Sequence, residues 1–333
     1  MRVAVSVAVL GLLAAAEFLA PISGAVQERD LAGAPPTVPH LDWSRSGLVP
    51  VVYPLEREGD GWRLVRDQPR ALRFLVGGEP YRLLGIFPTT LHLIGAQPPA
   101  RLRLLGCDEL GRDRFSRVLE AARSSVFLSV GALTGAVFLG LLVGAVAGWK
   151  GGLLDRVLTL IVDLLLALPG LFLLLSLRAA LPLLPPPGTD SLLVVSVLVC
   201  AAWVPVARAA QAQARGLRRE SFILAAAGSG AGSWWILKQH LFPALLPLAR
   251  AQALPLLPAL IVAEASLSYL GLGLREPHAS LGTLIAQTST AQAIGYPWLF
   301  SPILALTLIL LMAGWLASDR QPPSRAAWGG ETV

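Results

Sequence analysis

Charge is scarce in this chain. Of 333 residues only 14% are Asp, Glu, Lys or Arg, against roughly 25% in a soluble globular domain. Lysine is nearly missing: Lys150 and Lys238 are the two lysines among 27 basic residues. Neither stands in the Gly-x-x-x-x-Gly-Lys context of a phosphate-binding loop, so the chain has no such nucleotide site of its own. Cysteine is limited to Cys107 and Cys200, which excludes a disulfide framework and a thiolate metal centre. The four histidines, His40, His92, His240 and His278, are scattered and form no metal-ligand or nucleophile–base spacing. The net charge of +6 forms no stripe that would track a nucleic acid; the charges collect between long apolar runs.

Apolar residues make up 54% of the chain. A transmembrane helix needs about 20 mostly apolar residues. Six stretches qualify: 3–22, 126–148, 157–177, 192–207, 251–274 and 298–317. The first is read as a retained helix; a signal peptide opened by Arg2 is the alternative. The expected fold class is an all-α polytopic membrane protein of six helices.

Orientation follows from Lys and Arg in the short loops. With the N-terminus inside, eleven fall on the inner side, among them Lys150, Arg156, Arg208, Arg215, Arg218, Arg219, Lys238 and Arg250. The short outer loops hold only Arg178 and Arg275. Both termini are therefore expected in the cytoplasm, and so is the loop 208–250.

Residues 1–22 form the expected first helix, and 318–333 a cytoplasmic tail. Between 23 and 107 the composition shifts to a Pro- and Gly-containing linker followed by short branched and aromatic runs at 49–55, 62–66, 71–76, 81–86 and 101–105. Turn signals separate them, which predicts a small β-rich extracytoplasmic module over 48–105. It serves either as a docking surface or as a stabilising cap. Residues 108–125 alternate apolar positions (Phe115, Val118, Leu119, Ala122) with Arg112, Asp113, Arg114, Arg117, Glu120 and Arg123. That pattern predicts an amphipathic helix lying at the membrane surface.

Three features carry candidate chemistry. Asp163 and Glu264 lie inside apolar runs, where a charge costs at least about 2.5–3.5 kcal/mol. Each lines a solute path or gate, or is a buried hydrogen-bonded acid. Gly140, Gly144 and Gly148 recur every four residues and make a groove for close helix packing. The third is the run Glu220-Ser-Phe-Ile-Leu-Ala-Ala-Ala-Gly228, continuing through Gly230 to Leu241-Phe-Pro243. It reads as a short helix, a glycine break, a second short helix and a proline stop.

This third run resembles the coupling loop of ABC-importer permeases. Their motif is Glu-Ala-Ala, three residues, Gly, nine residues, then an ending in Leu-Pro. Ala225, Ala226, Gly230 and Pro243 fall at the matching positions, while Leu224 stands where the family has Glu and Phe242 where it has Leu. Other stretches resemble the dipeptide/oligopeptide/nickel branch: Leu105-Gly-Cys-Asp-Glu-Leu-Gly-Arg-Asp113, Gly148-Trp-Lys-Gly-Gly152, Val162-Asp-Leu-Leu-Leu-Ala-Leu-Pro169 and Ala263-Glu-Ala-Ser-Leu-Ser-Tyr-Leu-Gly-Leu-Gly273.

The resemblance implies a type I ABC-importer transmembrane fold with its permease core at 126–317. This chain would be one permease of a heterodimer in a bacterial inner membrane, served by two cytoplasmic ATPase subunits and an extracytoplasmic solute-binding protein. It would bind no cofactor itself; ATP would be used by the partners, and the chain would not be an enzyme. Peptides, nickel, glutathione and oligosaccharides are the solutes of that branch. Glu220, four residues before Leu224, is expected to support the helix N-terminus in place of the missing Glu, with Leu224 adding apolar contact to the ATPase. The rival classes are an ATP-independent secondary carrier or channel, and a membrane-anchored extracytoplasmic enzyme. A carrier would carry inverted repeats and more intramembrane polar groups.

Overall fold

A computed structural model describes residues 11–24, 26–44, 47–59, 61–83, 87–96, 100–182, 186, 188–289 and 295–318. Residues 1–10 of the expected first helix and 319–333 of the expected tail lie outside the described residues. The chain divides into two compact units. One comprises Met1–Leu128, Pro185–Ser191 and Glu264–Thr307; the other comprises Ser129–Leu184, Leu192–Ala263 and Leu308–Val333.

The first unit contains the short helix α1 (Ala16–Leu19) and the strands. β1 (His40–Ser44) pairs antiparallel with β2 (Gly47–Val52), which pairs with the two-residue β5 (Arg70–Ala71). β3 (Leu55–Glu58) and β4 (Gly61–Leu64) form a separate hairpin, as do β6 (Arg73–Leu83) and β7 (Phe87–Gly95). Val52, Ala100 and Leu102 make a small apolar core here. Buried His92 on β7 places Nδ1 2.6 Å from the Ala20 carbonyl, which ties the last hairpin to the end of α1.

Strand structure thus begins at His40, earlier than the apolar runs suggest. The run 101–105 forms no strand. Its Arg103 is buried and donates to Glu28 Oε2 at 2.6 Å, to Cys107 Sγ at 3.0 Å and to the Gly111 carbonyl at 3.3 Å. Those partners hold the segment in irregular backbone. Burial pushes the Cys107 thiol up to about 12, which leaves it protonated and inert.

Residues 108–125 do not form a separate surface helix. The helix α2 starts at Arg114 and runs unbroken to Lys150. Asp113 precedes it and accepts from the Ser116 N–H at 2.8 Å, the geometry of an N-cap carboxylate. Arg112, Arg114 and Arg117 are buried rather than solvated. Arg112 donates to Asp108 Oδ2 at 2.7 Å and to Glu276 Oε2 at 3.0 Å, and Arg117 to Glu276 Oε1 at 2.8 Å. Arg114 reaches Gln287 Oε1 at 2.9 Å and the Leu299 carbonyl at 2.8 Å. A buried guanidinium is tolerable only with such partners.

The second unit is helical. Its elements are the rest of α2, then α3 (Gly152–Ala167), α4 (Gly170–Ala179), most of α5 (Asp190–Leu217), and the run that follows it. The expected single span 157–177 is broken: α3 and α4 are bent by 102° at their junction. Leu168 is extended (φ −80°, ψ 135°), the conformation a following proline imposes, and Pro169 has no N–H to continue the ladder. Among the described residues four helices are long and apolar enough to cross a membrane, and five if the bent pair counts as one.

Gly140, Gly144 and Gly148 face α5. A Cβ at Gly140 would lie 2.6 Å from Val206 Cβ and 2.8 Å from the Trp203 carbonyl; one at Gly144 would strike the Ala207 carbonyl. The backbones are therefore in direct contact, as small residues permit in a bilayer. We expect Gly144→Ala to destabilise the helix pair by about 1–3 kcal/mol, because the obstacle is backbone. Gly131→Ala meets only Val195 Cγ2 at 3.9 Å and should be tolerated. Thermal unfolding of the two detergent-solubilised variants checks this; equal midpoints would remove the seam.

Burial pushes the Asp113 carboxyl from 3.8 up to about 6, against the Ser116 bonds that lower it. A carboxyl that binds its proton more tightly when folded loses stabilisation as pH rises through the folded value. Stability should therefore fall between about pH 4 and about pH 6, by on the order of 3 kcal/mol from this group, and level off above. Asp113→Asn keeps a capping side chain without the charge. It should flatten that window in unfolding measured across pH; an unchanged slope would assign the effect elsewhere.

Candidate functional site

The site is the segment following α5. After Leu217 the chain forms α6 (Ser221–Gly228), then α7 (Ser233–Ile236), a π-helical turn over Leu237–Leu241, and α8 (Phe242–Tyr269). Ala-rich sequence favours the first short helix. Its end is a Schellman motif: the Ala231 N–H reaches the Ala226 carbonyl at 3.1 Å and the Gly230 N–H the Ala227 carbonyl at 3.0 Å. Gly230 has φ +86°, a left-handed conformation that costs other residues about 1–2 kcal/mol. The glycine break is thus dictated by backbone, since a Cβ at Gly230 would meet nothing within 4 Å.

The proline stop is absent. Pro243 is the second residue of α8, and the π turn before it carries the helix past the residue that has no N–H. Glu220 sits at the N-cap position with extended backbone, not in the first turn, and its side chain makes no capping bond. Its carbonyl instead accepts from the Ile223 and Leu224 N–H groups, each at 3.1 Å.

One side of this segment is anchored. Ile223, Ile236, Leu237 and Leu241 are buried, and the last two join Ala145, Ala214 and Leu245 in one cluster. The other side presents apolar surface: Phe222 is 47% exposed, Leu224 58%, Trp234 65% and Trp235 51%. His240 sits between two of these rings, 5.9 Å from Phe222 and 5.2 Å from Trp235. Ala225 and Gly230 are exposed and Ala226 is half-buried.

A polar ladder joins α3 to α5 beside this segment. Arg215 Nε donates to Asp155 Oδ2 at 2.9 Å, and its Nη2 to Thr159 Oγ1 at 2.8 Å. Gln211 Nε2 donates to Asp155 Oδ1 at 2.7 Å. Asp163 forms an ion pair with Arg208, and both are about half exposed. Sequence reasoning flagged Asp163 but not its partner, although Arg208, Gln211 and Arg215 fall on one helical face and would have met its stripe 155, 159, 163.

Glu264 lies elsewhere, in the first unit. It is fully buried on α8 and accepts from Ser268 Oγ at 2.7 Å, the placement of a buried, hydrogen-bonded acid. The glycine stripe 140–148 serves the α2–α5 contact described above and adds no chemistry. Among the described residues no cluster of His, Cys, Asp and Glu is suited to a metal ion.

Residues 140–318 match the family described as "Binding-protein-dependent transport system inner membrane component". The oligopeptide transport system permease protein OppC of Bacillus subtilis is 32% identical over 217 residues, covering 65% of this chain and 69% of that protein. The dipeptide transport system permease protein DppC of the same organism is 33% identical over 214 residues, covering 64% and 65%. OppC of Mycobacterium tuberculosis strain H37Rv is 34% identical over 222 residues, covering 65% and 73%. Among solved structures, an inward-facing MetNI methionine ABC transporter gives a TM-score of 0.44 at 17% identity, covering 60% of this chain and 93% of that one. The family match takes in more than half of the sequence and the whole segment from Glu220 to Pro243, and the chain therefore belongs to the binding-protein-dependent transport system inner membrane components.

Proposed function

We propose that this chain is one permease of an ATP-driven importer for peptides or a related small solute, and that the 220–243 segment docks on a cytoplasmic ATPase. The observation that carries the reading is that segment. Two short helices are set at an angle by a left-handed glycine, anchored on one side and apolar on the other. An exposed group of Phe, Leu and two Trp side chains between basic residues suits a groove on another protein. A chain without a phosphate-binding loop needs such a contact to be driven by ATP.

The assembly would comprise a second permease, two ATPases and an extracytoplasmic solute-binding protein in a bacterial cytoplasmic membrane, with both termini of this chain inside. The type I six-helix arrangement belongs to the same proposal, as does an extracytoplasmic position for the strands at 40–95. The names of the peptide permeases that the chain resembles favour a peptide as solute.

Reconstituted alone, the chain should move no solute. With the partner permease, ATPases and binding protein it should take up peptide only when ATP is supplied. Gradient-driven uptake by the purified chain without ATP would replace the proposal with a carrier.

Gly230→Ala should cost the segment about 1–2 kcal/mol from the left-handed backbone, and ATP-dependent uptake should fall with it. Gly228→Ala lies within α6 at an ordinary φ, where alanine gains roughly 0.5–1 kcal/mol over glycine, and should leave uptake intact. Parallel uptake assays on the two variants decide the point: equal loss in both would mean that the turn is not what matters.

A further inference from the structure

We propose that the cavity at the elbow between α3 and α4 is a transit site for solute: a hollow in the helical unit where a leucine-sized side chain of a peptide rests on its way through. The proposal rests on the importer reading above. It adds which part of the solute this chain selects, and where.

The cavity has a volume of about 390 Å³, within the roughly 300–1,000 Å³ of small-molecule pockets. It has room for a large side chain rather than for a whole oligopeptide. Four helices of the second unit line it. Leu166 comes from α3, Leu174 from α4, Leu198 and Ala201 from α5, and Leu256 and Ala259 from α8. Every lining residue is Leu, Ala, Val, Pro or Gly. A Cβ at Gly170, on the elbow itself, would meet nothing within 4 Å, so the bend opens onto space and not onto a packed neighbour.

An apolar hollow among membrane helices would ordinarily fill with lipid tails. Three features of this one argue for water. The helix α4 starts without acceptors: among the described residues none meets the N–H groups of Gly170, Leu171 and Phe172. Pro205, itself part of the lining, withholds the N–H that the Ala201 carbonyl would take from the next turn. Irregular backbone at membrane depth is tolerated where protein buries it or where it lines a water-filled cavity. The third feature is the ion pair of Asp163 with Arg208. It lies one helical turn beyond the lining, before Leu166 on α3 and after Val204 on α5. Asp163 is 49% and Arg208 56% exposed. Lipid does not solvate such charges, and a close-fitting protein cover would strip water from both, a loss that pairing alone repays poorly. A wet cavity beside a broken helix is where transporters built of membrane helices hold their cargo.

A cargo group that leaves water for this hollow must be apolar. Burying one leucine-sized side chain raises occupancy roughly ten- to a hundredfold. That is enough to favour such groups and too little to trap them. A peptide of glycine alone gains nothing from the lining. The peptide backbone also carries carbonyls that can accept from the open first turn of α4 at the same elbow. The cavity therefore biases import toward peptides with large apolar side chains.

The test uses the full complex in proteoliposomes with saturating binding protein, and compares trileucine with triglycine. Ala201→Phe fills the hollow from α5. Its ATP-driven uptake of trileucine should fall about tenfold, and that of triglycine by no more than about twofold. Equal falls would overturn the transit site in favour of a structural role for Ala201, and would leave the importer reading standing. Should Ala201→Phe fail to assemble, Ala259→Phe fills the same hollow from α8 and is judged by the same ratio. Occupancy is read without transport in a chain carrying Ala201→Cys and Cys200→Ala, since Cys200 is exposed and Cys107 buried. A charged, water-soluble methanethiosulfonate should label the introduced thiol, and trileucine but not triglycine should slow that reaction about tenfold. Reaction with a lipid-soluble maleimide alone would assign the hollow to acyl chains, and reaction with neither reagent would assign it to a covering protein; each overturns the proposal. If the parent complex imports neither peptide with ATP, the importer reading fails, and the labelling comparison still decides whether the hollow takes leucine side chains.

Discussion

The contact on which the helical unit depends is the close approach of α2 and α5 along Gly140, Gly144 and Gly148. Lipid tails are as apolar as leucine, so membrane helices gain little from hiding apolar surface against each other. Direct backbone proximity supplies dispersion contact instead. The seam ends at Lys150, where Gly151 and Gly152 both take left-handed conformations (φ +67° and +66°). That pair of glycines turns the chain sharply enough for α3 to run beside α5. The ladder of Asp155, Thr159 and Asp163 with Arg215, Gln211 and Arg208 is a result of that return.

Polar groups in this protein are placed to specify geometry more than to add stability. Half-exposed ion pairs such as Asp163–Arg208 contribute at most about 1 kcal/mol each. Their spacing by helical turns, however, admits one sliding position of α3 on α5. The buried arginines at the start of α2 act in the same way. Their fixed forks bind carboxylates and carbonyls in particular directions. Arg112 and Arg117 meet on the single carboxyl of Glu276, so α2 is indexed to a part of the chain some 160 residues away by sequence.

What could be read in advance divides along the reach of the interaction. The helix break at Gly230 follows a local rule, a glycine after an alanine-rich turn, so spacing alone locates it. Long apolar runs likewise identify α2, α5, α8 and the helix Ser301–Ala317 as membrane-capable. Pro169 marks a place where the helix can kink, but composition does not show that the bend at Leu168-Pro169 reaches 102° and splits the run into two helices. Arg112, Arg114 and Arg117 read as a solvated face because nothing local shows that Glu276, Gln287 and the Leu299 carbonyl will reach them. Glu264 was recognisable as costly, and its partner Ser268 stands one helical turn along, a spacing the sequence already shows. Pro243 looked like a stop because a π turn leaves no plain mark in composition.

That π turn has a consequence for the surface described beside it. A π turn holds one residue more than an α turn. Each residue of an α-helix rotates its successor by 100°, since 3.6 residues complete a turn. Deleting one residue between Leu237 and Leu241 would let α7 and α8 merge into plain α-helix with the phase of α7 nearly kept, because one α turn then replaces one π turn. Straightening the π turn to α-helix with every residue kept would instead swing everything ahead of it by about 100° relative to α8. Trp235 would move toward the place of Trp234, and buried Ile236 would turn outward to the place of Trp235. The orientation of the exposed aromatic face is thus set by the one residue that the π turn absorbs rather than by a set of contacts, and a change that straightens this turn alters it more than most substitutions within it.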